Sequence, residues 1–189
     1  MRRCVTIISI ALFVCTTSFA QIQKSVLGVS LGATTRTKVQ EMFPNGRGNW
    51  AGDIDIACYP GSELDGAIVR GEPALNIHNP KFAGIEWDYA NFSFYNGVLC
   101  EVDFSSEDRR DGTTETLWKK LSRALSNKYG SYRKTRHTAN GPKDISYEIY
   151  SDGTTRIVTC CYDTFYVLKY QNINLFEKKY QNKLDSSEL

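Results

Sequence analysis

Residues 82–104 read FAGIEWDYANFSFYNGVLCEVDF, from Phe82 to Phe104. Asn96-Gly97 in its middle suits the type I′ turn of a two-residue hairpin, because both turn residues there take positive φ. Two long antiparallel strands are therefore expected on either side. Strict pairing from that turn sets Tyr95 opposite Val98, Ser93 opposite Cys100, Asn91 opposite Val102 and Tyr89 opposite Phe104. This side, extended by Trp87 and Ile85, is the more apolar and is expected to lie under the helices. The other side then carries Phe92, Phe94 and Leu99 among Glu86, Asp88, Glu101 and Asp103.

Large apolar groups rimmed by charge on an open sheet have the character of a partner site. Phe92, Phe94, Leu99, Glu101 and Asp103 are accordingly the candidate binding residues. Carboxylates gathered on one side of a hairpin also fit a calcium site or a pair of catalytic acids. A solvated strand face accounts for Glu86, Asp88, Glu101 and Asp103 with fewer assumptions, so no metal or cofactor is expected.

Upstream, residues 26–43 read VLGVSLGATTRTKVQEMF. Leu27, Val29 and Leu31 alternate as a short strand, and Thr34 or Thr35 can cap a helix that brings Val39, Met42 and Phe43 to one face. Pro44-Asn45-Gly46 ends it. Gly28-Val29-Ser30-Leu31-Gly32 also matches the Gly-x-Ser-x-Gly pattern of a hydrolase nucleophile elbow. An elbow joins a buried parallel strand to a helix, whereas the later strands here are hairpins and no oxyanion-loop glycine cluster precedes Ser30. The expected reading is a strand entering a helix, with Gly32 easing the backbone before the cap.

The next stretch, to about Pro80, is rich in glycine and gives no clear strand layout. After Phe104 a second helix is expected from Thr113 or Thr114, burying Leu117, Leu121, Ala124 and Leu125, with Gly130 in the left-handed conformation at its end. Strands follow at about 145–151, 154–162 and 164–171, with Asp152-Gly153 turning the first into the second. The expected fold is α+β: two tandem helix-plus-antiparallel-sheet units, 21–110 and 111–177, with the helices on one face of the sheet. Residues 178–189 are expected to form a polar, frayed tail.

The first twenty residues, MRRCVTIISIALFVCTTSFA, have a basic start, an apolar middle and a small-x-small end, as in a secretory signal peptide cut after Ala20. The apolar run from Cys4 to Val14 falls short of the roughly 20 residues a membrane span needs. The mature chain is expected to begin at Gln21, to be periplasmic or secreted, and to hold no transmembrane segment. Loss of Arg2 and Arg3 takes the basic residues from 23 to 21, level with the 21 acidic ones. A neutral chain has no overall field for gripping nucleic acid. Cys58, Cys100, Cys160 and Cys161 remain, and in an oxidising compartment they are expected to form disulfides or stand as thiols, with Cys58 to Cys100 one pairing. His78 and His137 are isolated, in a turn and in the basic segment Arg133–Gly141, which argues against zinc.

The segments "GVSLGATTRTKVQEMF", "FAGIEWDYANFSFYNGVLCEVDF" and "LSRALSNKYG" together resemble the β-lactamase inhibitor protein-like superfamily, which includes small outer-membrane assembly lipoproteins, and uncharacterised secreted proteins of Bacteroides-type bacteria. Val39 stands one residue further from Gly32 than the usual spacing, which leaves both Thr34 and Thr35 open as the cap. The resemblance implies a tandem helix-plus-sheet fold that binds proteins and carries no shared catalytic residue. The expected function is thus an exported, non-enzymatic module whose partner is another protein: an inhibitor, an envelope assembly factor or an adaptor. The alternative is a secreted hydrolase using Ser30, a histidine or the Glu86, Asp88, Glu101 and Asp103 face.

Overall fold

Asn96 and Gly97 take φ of +50° and +74° and join β9 (Tyr89–Tyr95) to β10 (Val98–Glu107) as the dipeptide requires. In this computed structural model the described residues are 21–48, 54–56, 68–70, 74–107, 113–138, 145–161 and 165–187. The expected signal peptide and Cys58 lie outside them. Two short ribbons use the same kind of turn. β1 (Ser25–Val26) and β2 (Val29–Ser30) meet at Leu27-Gly28, while β7 (Lys81–Phe82) and β8 (Ile85–Glu86) meet at Ala83-Gly84, with all four turn residues at positive φ. The expected long strand from Phe82 is therefore broken before Tyr89.

The β9–β10 pair does not keep strict register. Val98 faces Tyr95 and Leu99 faces Phe94, but Glu101 then faces Ser93, Val102 faces Phe92, Asp103 faces Asn91 and Phe104 faces Ala90. A bulge at Leu99–Cys100 inserts one residue, and because side chains alternate along a strand, everything after it changes face. The physical reason is burial. The shifted register collects Phe92, Phe94, Leu99, Val102 and Phe104 on one side, where all are buried. This corrects both the expected pairing and the expected exposure of Phe92, Phe94 and Leu99.

β9 and β10 lie within an eight-stranded sheet completed by β3 (Arg47–Gly48), β6 (Leu75–His78), β11 (Arg133–Thr138), β12 (Ile145–Ser151), β13 (Thr155–Cys161) and β14 (Phe165–Asn172). Its spatial order is β11-β12-β13-β14-β10-β9-β6-β3, and every neighbouring pair is antiparallel. β4 (Ile54–Ile56) and β5 (Ile68–Arg70) form a separate ribbon. Strands β12, β13 and β14 fall close to the expected spans. β11 occupies the first part of the basic segment Arg133–Gly141, for which no strand was expected. The architecture is α+β with a mostly antiparallel sheet.

On one face of the sheet pack α1 (Arg36–Met42) and α2 (Thr113–Tyr129). Thr35 caps α1, its hydroxyl accepting from the Lys38 N–H at 3.3 Å, while the Thr34 hydroxyl holds the Ser30 N–H at 2.8 Å. Val39 is buried and Phe43 stacks on Phe92 at 5.2 Å, but Met42 points to solvent, against expectation. From α2, Leu121, Leu125 and Tyr129 enter the core with Leu117 and Trp118 beside them, whereas Ala124 is exposed. Gly130 does not take a left-handed conformation. It opens a single 3-10 turn, Gly130–Tyr132, that leads into β11. Trp87 is fully buried against Tyr166 and Phe104, its indole N–H donating to the Phe82 carbonyl.

α3 (Ile173–Ser187) covers the opposite face, so the helices do not share one side of the sheet. It packs against β9, β10 and β14, and Phe176 lies over the Arg156 guanidinium. The Asn172 side chain caps its start by accepting from the Leu175 N–H. Lys179 and Tyr180 are buried at 3% and 1% exposure, so the tail expected to fray from Lys178 instead begins docked, and its backbone stays helical to Ser187.

Candidate functional site

Under α3 the sheet presents charge in place of a core. Glu101, Gln171 and Arg156 lie side by side on β10, β14 and β13, and Asp103 and Lys169 form the next row. Glu101 is 1% exposed and Gln171 fully buried. The Arg156 Nε donates to Gln171 Oε1 at 2.7 Å, Gln171 Nε2 donates to Glu101 Oε2, and Lys169 Nζ sits 3.5 Å from Glu101 and 3.6 Å from Asp103. The second row continues through Asn91 to Asn76, whose Nδ2 donates to Asn91 Oδ1 at 2.6 Å. Taking charges out of water is costly unless each is paired and hydrogen-bonded, and Lys169 supplies that pairing to Glu101 and Asp103.

A second polar network lies on the helix face. Glu148, 5% exposed, accepts from the Ser122 hydroxyl of α2 at 2.6 Å, from Arg133 at 2.5 Å and from the Tyr150 hydroxyl at 2.9 Å. Burial, and then the hydrogen bond to Glu148 and its charge, hold the Tyr150 phenol above its ordinary range, with Arg133 acting in the other direction. Three donors hold this carboxylate, and the Ser122 bond ties α2 to the sheet. Burial also raises the phenol of Tyr170, followed by the influence of Tyr129.

Asp152 does the same for the segment at Ile22. Its Oδ1 accepts from the Thr155 and Thr154 N–H groups at 2.7 and 2.9 Å and from the Thr154 hydroxyl, and its Oδ2 accepts from the Ile22 N–H at 3.0 Å. Burial pushes this carboxyl up, but the bonds from Thr155, Thr154 and Ile22 together outweigh it and hold the group below the usual carboxylate value. Ile22 is buried, and Gln23 is held through its N–H to the Tyr129 hydroxyl and its side chain to Lys128.

The five candidate binding residues divide between the two faces. Phe92, Phe94 and Leu99 are core; Glu101 and Asp103 belong to the ladder under α3. Glu86 sits apart on the β7–β8 ribbon, exposed and 3.9 Å from Lys81, so the four carboxylates do not share a surface. Among the described residues no group of three or more His, Cys, Asp or Glu gathers as a metal site. Ser30 lies in antiparallel β2 opposite Ser25, not at the apex of a strand-to-helix turn. His78 ends β6, edge-on to Tyr89 at 5.0 Å, and His137 lies in β11 near the other edge of the sheet. Cys100 marks the bulge, its Sγ donating to the Ser93 carbonyl at 3.2 Å, and among the described residues no disulfide is formed. No helix among them is long and apolar enough to cross a membrane.

Sequence reading missed Lys169, Gln171 and Arg156. The signal was present in β14, where Lys169 and Gln171 alternate with Leu168 and Tyr170, marking a polar face opposite the core. No family model matches the chain, and no curated protein and no solved structure matches it.

Proposed function

We propose that the chain is an exported, non-enzymatic protein-binding module built from two tandem helix-plus-sheet units. The observation that carries this reading is the order of the strands. α1 precedes β3, β6, β9 and β10, which run in sequence from one edge of the sheet to its centre, and α2 precedes β11, β12, β13 and β14, which run from the other edge to the centre. The last strands of the two series, β10 and β14, pair antiparallel. A helix and four strands thus recur with the same inward order, which supports the β-lactamase inhibitor protein-like arrangement that the sequence segments resemble.

The ionisable groups support a binding role in a second way. Glu101, Glu148 and Asp152 each accept hydrogen bonds from neighbours within the fold, which supports a role in positioning elements. The hydrolase reading needs Ser30 on an elbow with a base in reach, and β2 offers a flat antiparallel setting. The test is a panel of ester, peptide and glycoside substrates presented to the mature chain. The proposal expects no turnover above the buffer rate; turnover abolished by Ser30→Ala would reverse it.

A further inference from the structure

The inference concerns one edge of the sheet and rests on the protein-binding reading. Among the described residues strand β11 is the outermost member of the sheet at that end, paired with β12 on one side. Its sequence, RKTRHT, places Arg133, Lys134 and Arg136 with His137 in six successive positions and contains no acid, in a chain whose mature form is formally neutral. The register with β12 sets Lys134 and Arg136 opposite Ile149 and Tyr147, and Arg133, Thr135 and His137 opposite Tyr150, Glu148 and Ser146. The opposite edge of the sheet, β3, is only two residues long.

An outer strand offers a row of main-chain donors and acceptors to any extended segment that can pair with it. The charge on β11 decides which segment. A second copy of β11 would set cation against cation, which is unfavourable for directly opposed residues, whereas glutamate or aspartate at alternate positions would meet Lys134 and Arg136 as opposite-charge cross-strand pairs. Arg133 is already engaged by buried Glu148, which fixes the first residue of the strand. We propose that β11 is a docking edge for an acidic, extended segment of a partner protein, which adds to the sheet as a further strand.

The probe is a blocked peptide in which glutamate alternates with valine and threonine, titrated at low salt against the mature chain and against Lys134→Glu with Arg136→Glu. Saturable binding is expected, weakened roughly tenfold or more in the variant and reduced by added salt. Amide hydrogen exchange should slow in Arg133–Thr138 when the peptide is bound. Absence of binding at low salt, equal binding by the variant, or binding without slowed exchange in β11 each overturns the proposal. Retention of a native envelope partner at full affinity by the variant overturns this edge while leaving the binding reading in place. If the wild-type chain holds no partner at all, both fall.

Discussion

Cys100 Sγ donates to the Ser93 carbonyl across 3.2 Å at the point where the register between β9 and β10 shifts. This one inserted residue separates an aromatic core from a charged ladder on the two faces of the same strand pair. Phe92, brought to face Val102 and to stack on Phe43, is fully buried. Phe92→Ala should therefore cost about 3–5 kcal/mol in chemical denaturation, the scale for truncating a buried aromatic. A loss below about 1 kcal/mol would return Phe92 to the surface.

The ladder makes a second prediction. Removing one partner of a buried ion pair leaves the others uncompensated, so Glu101→Ala should destabilise by about 3–5 kcal/mol. Lys38→Ala, which breaks an exposed pair with Glu41 on α1, should cost less than about 0.5 kcal/mol. Urea midpoints of the two variants measured side by side test the contrast, and equal midpoints would remove the structural role of Glu101.

Asp152 predicts a pH dependence. Its carboxyl is held low in the folded chain, so its contribution is fully present above the ordinary carboxylate range near pH 4 and is lost as pH falls through the depressed value. Asp152→Asn should therefore destabilise the protein at neutral pH and flatten the fall in melting temperature below about pH 4. Parallel melting curves for variant and wild type from neutral pH into acid would contradict this assignment.

At the C-terminal end, Tyr180 is buried beside Phe176 at 4.6 Å while Lys178 is exposed. Tyr180→Ala should cost about 3 kcal/mol and Lys178→Ala almost nothing. Comparable small effects at both positions would show that the helix does not hold to the sheet.

The strands legible in the sequence are those with strong alternation, notably β12, β13 and β14, along with the Asn96-Gly97 turn. Leu27-Gly28 and Ala83-Gly84 escaped because neither leucine nor alanine announces positive φ. The bulge was written in the spacing of Leu99, Val102 and Phe104, three and then two, but a register counted outward from the turn passes over it. β11 reads as a polar turn because an edge strand of cations shows no apolar alternation. The docked tail is marked only by Phe176 and Tyr180 at i, i+4 spacing among polar residues. Of the candidate site, Glu101 and Asp103 were legible as a pair, but their partners Lys169 and Gln171 arrive from β14, far along the chain.

The central claim is that the chain acts by binding, with its buried ionisable groups committed to the fold. The most direct measurement is calorimetric titration of residues 21–189, wild type and Ser30→Ala, against a protein that co-purifies with the chain. The account predicts a saturable complex of fixed stoichiometry, with the same affinity for both chains and the partner recovered intact. A partner that is consumed by the wild type and spared by Ser30→Ala would contradict it.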